Sequence, residues 1–321
     1  TDDYGNAFGL MHFNACKNIT IRNCTIHDIT AHGIKFIGSG SANHLVQDNV
    51  IYNALPPWSY PCLVSVLDTN TATVSRNTIY NAVGQWSVGM MVLNSSTNVT
   101  IEQNNIYNCN GDHVYLRGSS SGNTIRHNYI HDGSGAGVMI REGAGSNKVY
   151  GNLIAEIGAA VSINNTGGAT SYNLVYNNTV YNEARSNGGG IVVVGSHTGT
   201  QVRNNCIWTN DEYALFYDAA AASVVTSSRN CVYNTSSFRL IHWAGTNYVM
   251  SNFASYQSVS GQDRDSMARS PLFANAGGRD FSFQSNSPCI NAGLDLGDAY
   301  RYVLGSGSAW PGGVRIADQR A

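Results

Sequence analysis

The 321-residue chain has few charged residues, and neither sign dominates. Charged residues make up 12% of the sequence, against about 25% in an average protein, and the formal net charge is -2. A nucleic-acid partner would require a basic stripe, so this balance argues against one. No apolar run approaches the ~18 residues that cross a bilayer, so we expect no membrane span.

The sequence also lacks metal-site cysteine pairs and helical periodicity. Its seven cysteines form no CxxC pair and no zinc-type Cys/His spacing. Cys206 and Cys231 occupy equivalent positions (RNNC and SRNC), as does Cys24, which indicates stacked small residues rather than disulfides. Short alternating runs of Val, Ile and Thr are separated by Gly, Asn, Ser and Asp, a pattern typical of strands and turns. The sequence therefore predicts an all-β protein.

An asparagine recurs at steps of about 24 to 28 residues through most of the chain. A fixed period of this size means that each repeat buries its apolar face by stacking on its neighbours. A coil of about 25 residues made only of strands and turns is one rung of a parallel β-helix, and the period predicts about ten such coils. The series is Asn23, Asn49, Asn77, Asn104, Asn128, Asn152, Asn178, Asn205 and Asn230.

After Asn234 the repeat fades into the phrases YQSVSGQDRDS, SPLFAN, RDFSFQSNSPCINAG and GGVRIADQ. These phrases resemble the terminal cassette of secreted bacterial right-handed parallel β-helix proteins of the pectin-lyase-like superfamily. The resemblance implies coils over residues 1–250, a capping cassette over 251–321 in the same domain, and a secreted or cell-surface location. The first ten residues resemble the middle of a coil, and no short final strand follows the cassette, so we expect further chain at both ends.

The candidate site lies on the first strand of each coil, whose alternate side chains point outward. Arg117 and Arg141 fall at the same register on adjacent coils, so Glu142, Asp112 or an anionic ligand must offset their repulsion. Aromatic and imidazole groups on the same two coils would suit an acidic polysaccharide. We therefore take as candidate catalytic residues Arg117, Arg141, His113, Tyr115 and His131.

Such a cluster could cleave a uronic-acid glycan by β-elimination. Arginine neutralises the C6 carboxylate, a base removes the C5 proton, and an acid protonates the leaving oxygen. The base stays unassigned among Arg, Lys, His and Tyr. Lys35, Tyr107 and Asn164 are candidate substrate-binding residues.

Similar lyases in the superfamily use Lys and Arg on a strand face, sometimes with Ca²⁺ held by Asp, Glu and Asn. The phrases VYLRGSSSGNTI and VMIREGAGSNKV resemble their Arg-bearing coils in outline. The resemblance allows a calcium site, for which Asp112, Asp132 and Glu142 offer hard oxygen ligands. Ion pairing of these carboxylates with the two arginines is the competing interpretation, and no cofactor is required.

Two other functions remain open. An acidic cluster near the chain start could supply the paired carboxylates of a glycoside hydrolase. Its members are Asp2, Asp3, His27, Asp28, His32 and Lys35. A non-catalytic surface, adhesive or filament-forming scaffold, with self-association, is the alternative of a different class. An outward aromatic column could bind sugars or only stabilise the surface; it comprises Tyr52, Tyr80, Tyr107, His131, Tyr181, Trp208 and Tyr233.

Overall fold

Three parallel β-sheets run the length of a solenoid in the computed structural model, which describes residues 9–55, 61–168, 170–182, 189–210, 212–236, 238–305 and 307–318. Each coil contributes one strand to each sheet, in the order A, B, C. Within these ranges the chain forms nine complete coils and a partial tenth, close to the predicted ten. The prediction of an all-β parallel β-helix is confirmed.

Sheet A contains ten parallel strands and one antiparallel strand that closes its last edge. The parallel strands are Gly9–Asn14, His32–Ile37, Cys62–Leu67, Val88–Leu93, Val114–Leu116, Ala136–Ile140, Ala159–Asn164, Gly189–Val194, Leu215–Tyr217 and Ile241–Trp243, and the antiparallel one is Thr246–Tyr248.

Sheets B and C complete each coil. Sheet B consists of Thr20–Arg22, Ser41–Gln47, Thr69–Ser75, Thr97–Glu102, Thr124–Arg126, Lys148–Tyr150, Leu174–Tyr176, Gln201–Arg203 and Thr226–Ser228. Sheet C consists of Thr25–Ile29, Val50–Ala54, Thr78–Ala82, Asn105–Cys109, Tyr129–His131, Leu153–Ala155, Thr179–Asn182, Cys206–Thr209, Cys231–Asn234 and Met267–Ala268.

The core is a set of apolar columns inside the coils. Strand alternation turns every second residue inward, and the parallel register places equivalent residues above one another. Ile140 lies between Leu116 and Ile163 in this register, and all three are fully buried. The predicted strand phase of sheet A is therefore correct in these coils. In the first coil it is wrong by one residue, because Met11 and Phe13 pair with the inward Ile34 and Phe36.

A buried asparagine ladder joins sheets B and C. The Nδ2 atom of each ladder asparagine from Asn49 to Asn205 donates to Oδ1 of the next one at 2.9–3.1 Å. The last member, Asn230, donates to Oδ1 of the buried Asp263 at 3.0 Å. Eight of the nine predicted asparagines thus form one continuous chain of amide hydrogen bonds.

Asn23 is the exception, and its prediction was wrong by one residue. Its place in the ladder is taken by Cys24, whose backbone N–H donates to Oδ1 of Asn49 at 3.0 Å. Asn23 instead adopts a left-handed φ of 55°, as do Asp48 and Arg76 in the next two coils. Asparagine tolerates the left-handed region well, so either turn position suits it. Cys24 is consequently not equivalent to Cys206 and Cys231.

The described residues from 252 onward pack against the solenoid. The described residues form two short α-helices, Ala219–Ala222 and Phe253–Ser260, and the second belongs to this C-terminal segment. The segment also forms two antiparallel hairpins, which pair Phe273–Asn275 with Asp280–Phe283 and Tyr302–Leu304 with Ile316–Asp318. Short 3₁₀ helices occur at Met250–Asn252, Ala276–Gly278 and Asp298–Tyr300. Among the described residues, no helix is long and apolar enough to cross a membrane.

Candidate functional site

Arg117 and Arg141 lie at the same register at the end of sheet A strands on neighbouring coils. Each follows an inward residue, Leu116 and Ile140, and these two pair directly. The backbone N–H of Arg141 donates to the carbonyl of Leu116 at 3.0 Å, so the parallel ladder continues to this point. Alternation then turns both arginine side chains to the outer face of the sheet.

Glu142 links the two arginines. Its Oε2 accepts a hydrogen bond from Nε of Arg117, and its Oε1 lies 3.1 Å from Nη2 of Arg141. Glu142 has a left-handed φ of 55° in the turn that follows the strand. The side chains of Arg117, Arg141 and Glu142 are 20, 34 and 18% exposed, so the network reaches solvent but is largely covered. The predicted offset of the two positive charges by Glu142 is therefore present.

A cleft of about 500 Å³ opens beside this network on the outer face of sheet A. That volume lies within the range of small-ligand sites. The lining residues are Trp86, Val88, Asn110, Gly111, Asp112, Tyr115, Arg117, Ser134, Gly135, Met139 and Arg141. The surface around the arginines is therefore concave.

Two buried polar atoms of the cleft residues have no hydrogen-bond partner among the described parts of the chain. They are the hydroxyl of Tyr115 and Nε of Arg141. Burial raises the pKa of the Tyr115 hydroxyl to about 12, although the nearby arginines lower it. The hydroxyl is therefore protonated at neutral pH and can act as a donor. Unpaired buried donors are rare, because each forfeits its hydration.

Asp112 contributes a carboxyl group to the same cleft. Its Oδ1 accepts a hydrogen bond from the backbone N–H of Ala136 at 2.8 Å. Burial raises the pKa of Asp112 to about 6, while the Ala136 N–H and Arg141 lower it. A carboxyl group with this pKa exchanges its proton close to neutral pH, the range that suits a general acid or base.

Lys35 and Asn164 share the outer face of sheet A with the arginines. Lys35 stands in the column of Tyr115, three coils away, with Ser65 and Met91 between them. Its side chain is fully buried. Asn164 follows Ile163 at the register of Arg141, and its amide donates to Sδ of Met139 at 3.5 Å. Of these two predicted substrate-binding residues, only Asn164 adjoins the cleft lining.

The structure does not bring His113 and His131 to the arginine pair. His113 is fully buried against Gly133, and Nδ1 lies 3.3 Å from the carbonyl oxygen of Ala136. Burial lowers its pKa to about 4, so the ring is neutral at pH 7. His131 belongs to sheet C, a different side of the solenoid. Consecutive strands of a coil lie on different faces of the solenoid, so His131 is separated from the arginines although it is near them in sequence. His113 is separated from them by its burial.

His131 and Tyr107 belong to the aromatic column on sheet C. The rings of Tyr52, Tyr80, Tyr107 and His131 stack at centroid distances of 4.9 Å and interplanar angles of 8° or less. Ala155 occupies the next coil, and beyond it Tyr181, Trp208 and Tyr233 pack with tilted or edge-on rings. The predicted column is thus interrupted at Ala155, with parallel stacked rings before it and tilted or edge-on rings after it.

The three carboxylates predicted as calcium ligands lie apart. Asp112 bonds the Ala136 N–H in the cleft, and Glu142 bridges the arginines. Asp132 accepts two hydrogen bonds from Nη2 of Arg279, at 2.8 and 2.9 Å, beside His131. They do not converge on one point, so the proposed three-carboxylate site does not form.

The hydrolase candidates do not assemble into a second site within the described chain. Asp2 and Asp3 lie outside the described residues. Asp28 sits in a turn with φ 56° and accepts hydrogen bonds from Asn53 at 3.0 Å and from His27 at 2.9 Å. Asn81 in turn donates to Asn53, so Asp28 begins an outer turn ladder.

Sequence reasoning missed two features. Trp86, 61% exposed, contributes to the cleft lining from the turn before the Val88 strand, and nothing in its local phrase GQWSV marks it as a site residue. The second is a cluster of Cys206, Cys231 and Cys289. The equivalence of the first two was visible in the repeat, but Cys289 comes from the non-repetitive cassette.

Comparison with known proteins supports the fold. A family described as "Right handed beta helix region" matches residues 62–254. A solved structure of a DFA-IIIase mutant from Arthrobacter chlorophenolicus A6, in complex with DFA-III, is similar at 13% identity and a TM-score of 0.32. The match covers 61% of this chain and 50% of that one, so the chain spans about half the length of this neighbour. No curated protein matches the sequence. The chain belongs to the right-handed β-helix family.

Proposed function

We propose that this protein is a secreted or cell-surface carbohydrate-active protein, most concretely a lyase that cleaves an anionic, uronic-acid polysaccharide by β-elimination. The observation that carries the proposal is the cleft on sheet A, where two arginines, an unpaired tyrosine hydroxyl and a carboxyl group of raised pKa meet. The required chemistry needs the same three kinds of group: a cation, an acid and a base.

The arginines supply the positive field for the substrate carboxylate. Glu142 pairs with both Arg117 and Arg141, and Nε of Arg141 has no hydrogen-bond partner in the described chain. A uronate carboxylate in the cleft would accept from this donor and approach both guanidinium groups. Neutralising the C6 carboxylate stabilises the negative charge that develops when the C5 proton leaves.

Asp112 and Tyr115 would carry the proton transfers. Above pH 6 the Asp112 carboxylate is ionised and takes the proton from C5, so that the C5–H bond becomes the C4–C5 double bond. The bond from C4 to the glycosidic oxygen breaks, and the Tyr115 hydroxyl gives that oxygen its proton. Tyr115 is protonated at neutral pH and recovers its proton from solvent after the product leaves. The base in this proposal is a carboxylate, whereas the sequence pattern left it among Arg, Lys, His and Tyr.

The first experiment is a substrate screen. The purified protein is incubated with uronic-acid polysaccharides and neutral polysaccharides, and both new reducing ends and ultraviolet absorbance of an unsaturated product are recorded. We expect absorbance to rise together with reducing ends, and only with uronides. Reducing ends without absorbance would indicate a hydrolase, and no product from any uronide would contradict catalysis.

Arginine variants with a matched control locate the site. Arg117→Ala and Arg141→Ala should each lower the rate by ~100-fold or more, because each removes a charge contact to the transition state. Arg126→Ala is the control, since Arg126 has a comparable ion pair with Glu102, at 2.6 Å, on sheet B. Equal losses in all three variants would show that the effect is not local to the cleft.

A non-catalytic scaffold is the second candidate function, and one observation favours it. Glu142 already pairs with both arginines, as expected if this network only stabilises adjacent coils. On this proposal the arginine variants lower thermal stability and no polysaccharide is cleaved. Self-association would then appear as a concentration-dependent mass in analytical ultracentrifugation.

A further inference from the structure

Three cysteines meet where the C-terminal segment packs on the last coils. Cys206 and Cys231 are the first residues of two neighbouring strands of sheet C, where they are paired and point outward. Phe273 and Cys289 of the C-terminal segment pack on this outer face, so that Cys206 and Cys231 are buried. The three Sγ atoms all lie within 4.8 Å of one another. Residues from two coils and from a segment more than fifty positions later therefore place three thiols at one point.

The spacing suits a shared metal ion better than a disulfide. Sγ of Cys206 and Sγ of Cys289 are 4.0 Å apart, about twice the ~2.05 Å of a disulfide bond, and all three cysteines are free. Three thiolates bound at ~2.3 Å to one tetrahedral ion stand roughly 3.8 Å from each other. The cluster matches this separation after shifts of an ångström or less.

From this geometry we infer that Cys206, Cys231 and Cys289 form a binding site for one thiophilic d¹⁰ metal ion of the zinc class. Soft thiolate ligands select such ions, and three thiolates leave a fourth coordination position. The ion would fasten the C-terminal segment to the eighth and ninth coils. This role is independent of the cleft on sheet A and of its chemistry.

The surroundings leave room for a fourth ligand. A cavity of about 270 Å³ adjoins all three cysteines. Its wall includes Asp295 and Asn291, so oxygen ligands or water have access to the open position.

Simple packing of small core residues explains less of this arrangement. Packing would account for Cys206 over Cys231, since each coil places an equivalent residue there. It does not explain why a third thiol from the cassette joins them beside a cavity whose wall includes Asn291 and Asp295.

The test uses the whole chain, fully reduced and freed of metal. Zn²⁺ binding is measured by calorimetry, and Cd²⁺ binding by ultraviolet thiolate-to-metal charge-transfer absorption. We expect one equivalent of each ion to bind, and Zn²⁺ at a hundredfold excess over Kd to raise the Tm by about 4 °C. The variants Cys206→Ser, Cys231→Ser and Cys289→Ser should each lose at least tenfold in affinity and most of the absorption. Cys16→Ser, remote in the first coil, should retain both.

Three results would overturn the inference. The first is the absence of stoichiometric binding by the reduced, unsubstituted protein, which does not depend on any variant folding. The second is binding that survives in all three serine variants, because the ion would then sit elsewhere. The third is a Cys206–Cys289 disulfide in the isolated protein, found by mass spectrometry without reduction, together with no binding once it is reduced.

Discussion

The guanidinium group of Arg141 lies over the ring of Tyr115, with its central carbon 5.3 Å from the ring centroid. This contact brings together the two cleft-lining residues that have a buried polar atom without a hydrogen-bond partner in the described chain. A cation over an aromatic face is stabilised by the ring quadrupole, so the pair can persist while both donors stay available.

Tyr115→Phe should separate stability from activity. The substitution removes a buried hydroxyl that has no partner, so we expect unfolding free energy to stay equal or rise by about 1 kcal/mol. If Tyr115 protonates the leaving oxygen, the rate on a uronide should fall by about 100-fold or more. Chemical denaturation and the unsaturated-product assay measure the two effects. A large loss of stability would mean that the hydroxyl has a partner in solution.

Asp112→Asn should change stability in a pH-dependent way. The folded pKa of Asp112, about 6, lies above its unfolded value of 3.8. The stability that this difference contributes is fully present below pH 3.8 and is lost as the pH rises through 6. Asparagine keeps the acceptor for the Ala136 N–H but carries no charge. We therefore expect the variant to exceed the parent by up to about 3 kcal/mol at pH 8 and to match it near pH 3.

The same residue gives a kinetic prediction. A base with a pKa of about 6 makes kcat/KM of the parent rise with pH through that value. Asp112→Asn should abolish both the rise and most of the activity, whereas Asp265→Asn, an exposed carboxyl in the C-terminal segment, should do neither. A pH profile that keeps its shape in Asp112→Asn would remove Asp112 from the reaction.

Ile140→Asp should unfold the neighbouring coils. Ile140 is fully buried between Leu116 and Ile163, and a carboxylate there has no partner. We expect a loss of several kcal/mol, observed as reduced strand signal in circular dichroism and a lower Tm. Thr124→Asp is the matched control, because Thr124 is half-buried on sheet B opposite Lys148. An unchanged Tm for Ile140→Asp would contradict the strand phase.

Asn128→Ala should interrupt the buried ladder. Its Oδ1 accepts from both the backbone N–H and Nδ2 of Asn104, at 3.0 Å each. Each buried donor left without a partner costs roughly 1–3 kcal/mol, so we expect a loss of at least about 2 kcal/mol. Asn247→Ala, on the exposed antiparallel strand, should cost far less. Similar losses at both positions would argue that the ladder contributes little.

The fold followed from the sequence because its cause is local and repeated. The alternation of apolar residues and the asparagine period correctly predicted which side chains point inward, such as Leu116 and Ile140. They also predicted that Arg117 and Arg141 lie side by side on adjacent coils. The same repeat misplaced Asn23, since two adjacent turn positions both accept asparagine.

The site was harder to predict because its composition depends on which face each strand occupies. Proximity in sequence placed His131 with the arginines, whereas the coil geometry sends it to sheet C. The raised pKa of Asp112 results from burial, which no spacing reveals. The approach of Cys289 to the coils depends on how the non-repetitive segment folds back, and a repeat pattern carries no information about that.

The amide ladder also gives the solenoid a direction. Each ladder asparagine from Asn49 to Asn205 donates from Nδ2 to a backbone carbonyl of the preceding coil and to Oδ1 of the asparagine in the following coil. The side-chain series therefore runs one way, and its last member, Asn230, donates to the carboxylate of Asp263, where Ser266 and Tyr256 also donate. The final strand of sheet A is covered by the antiparallel Thr246–Tyr248 strand. At the later end of the described coils, both the amide series and an edge strand are thus already terminated. Another coil stacked on that end would have to break the Asp263 contacts first.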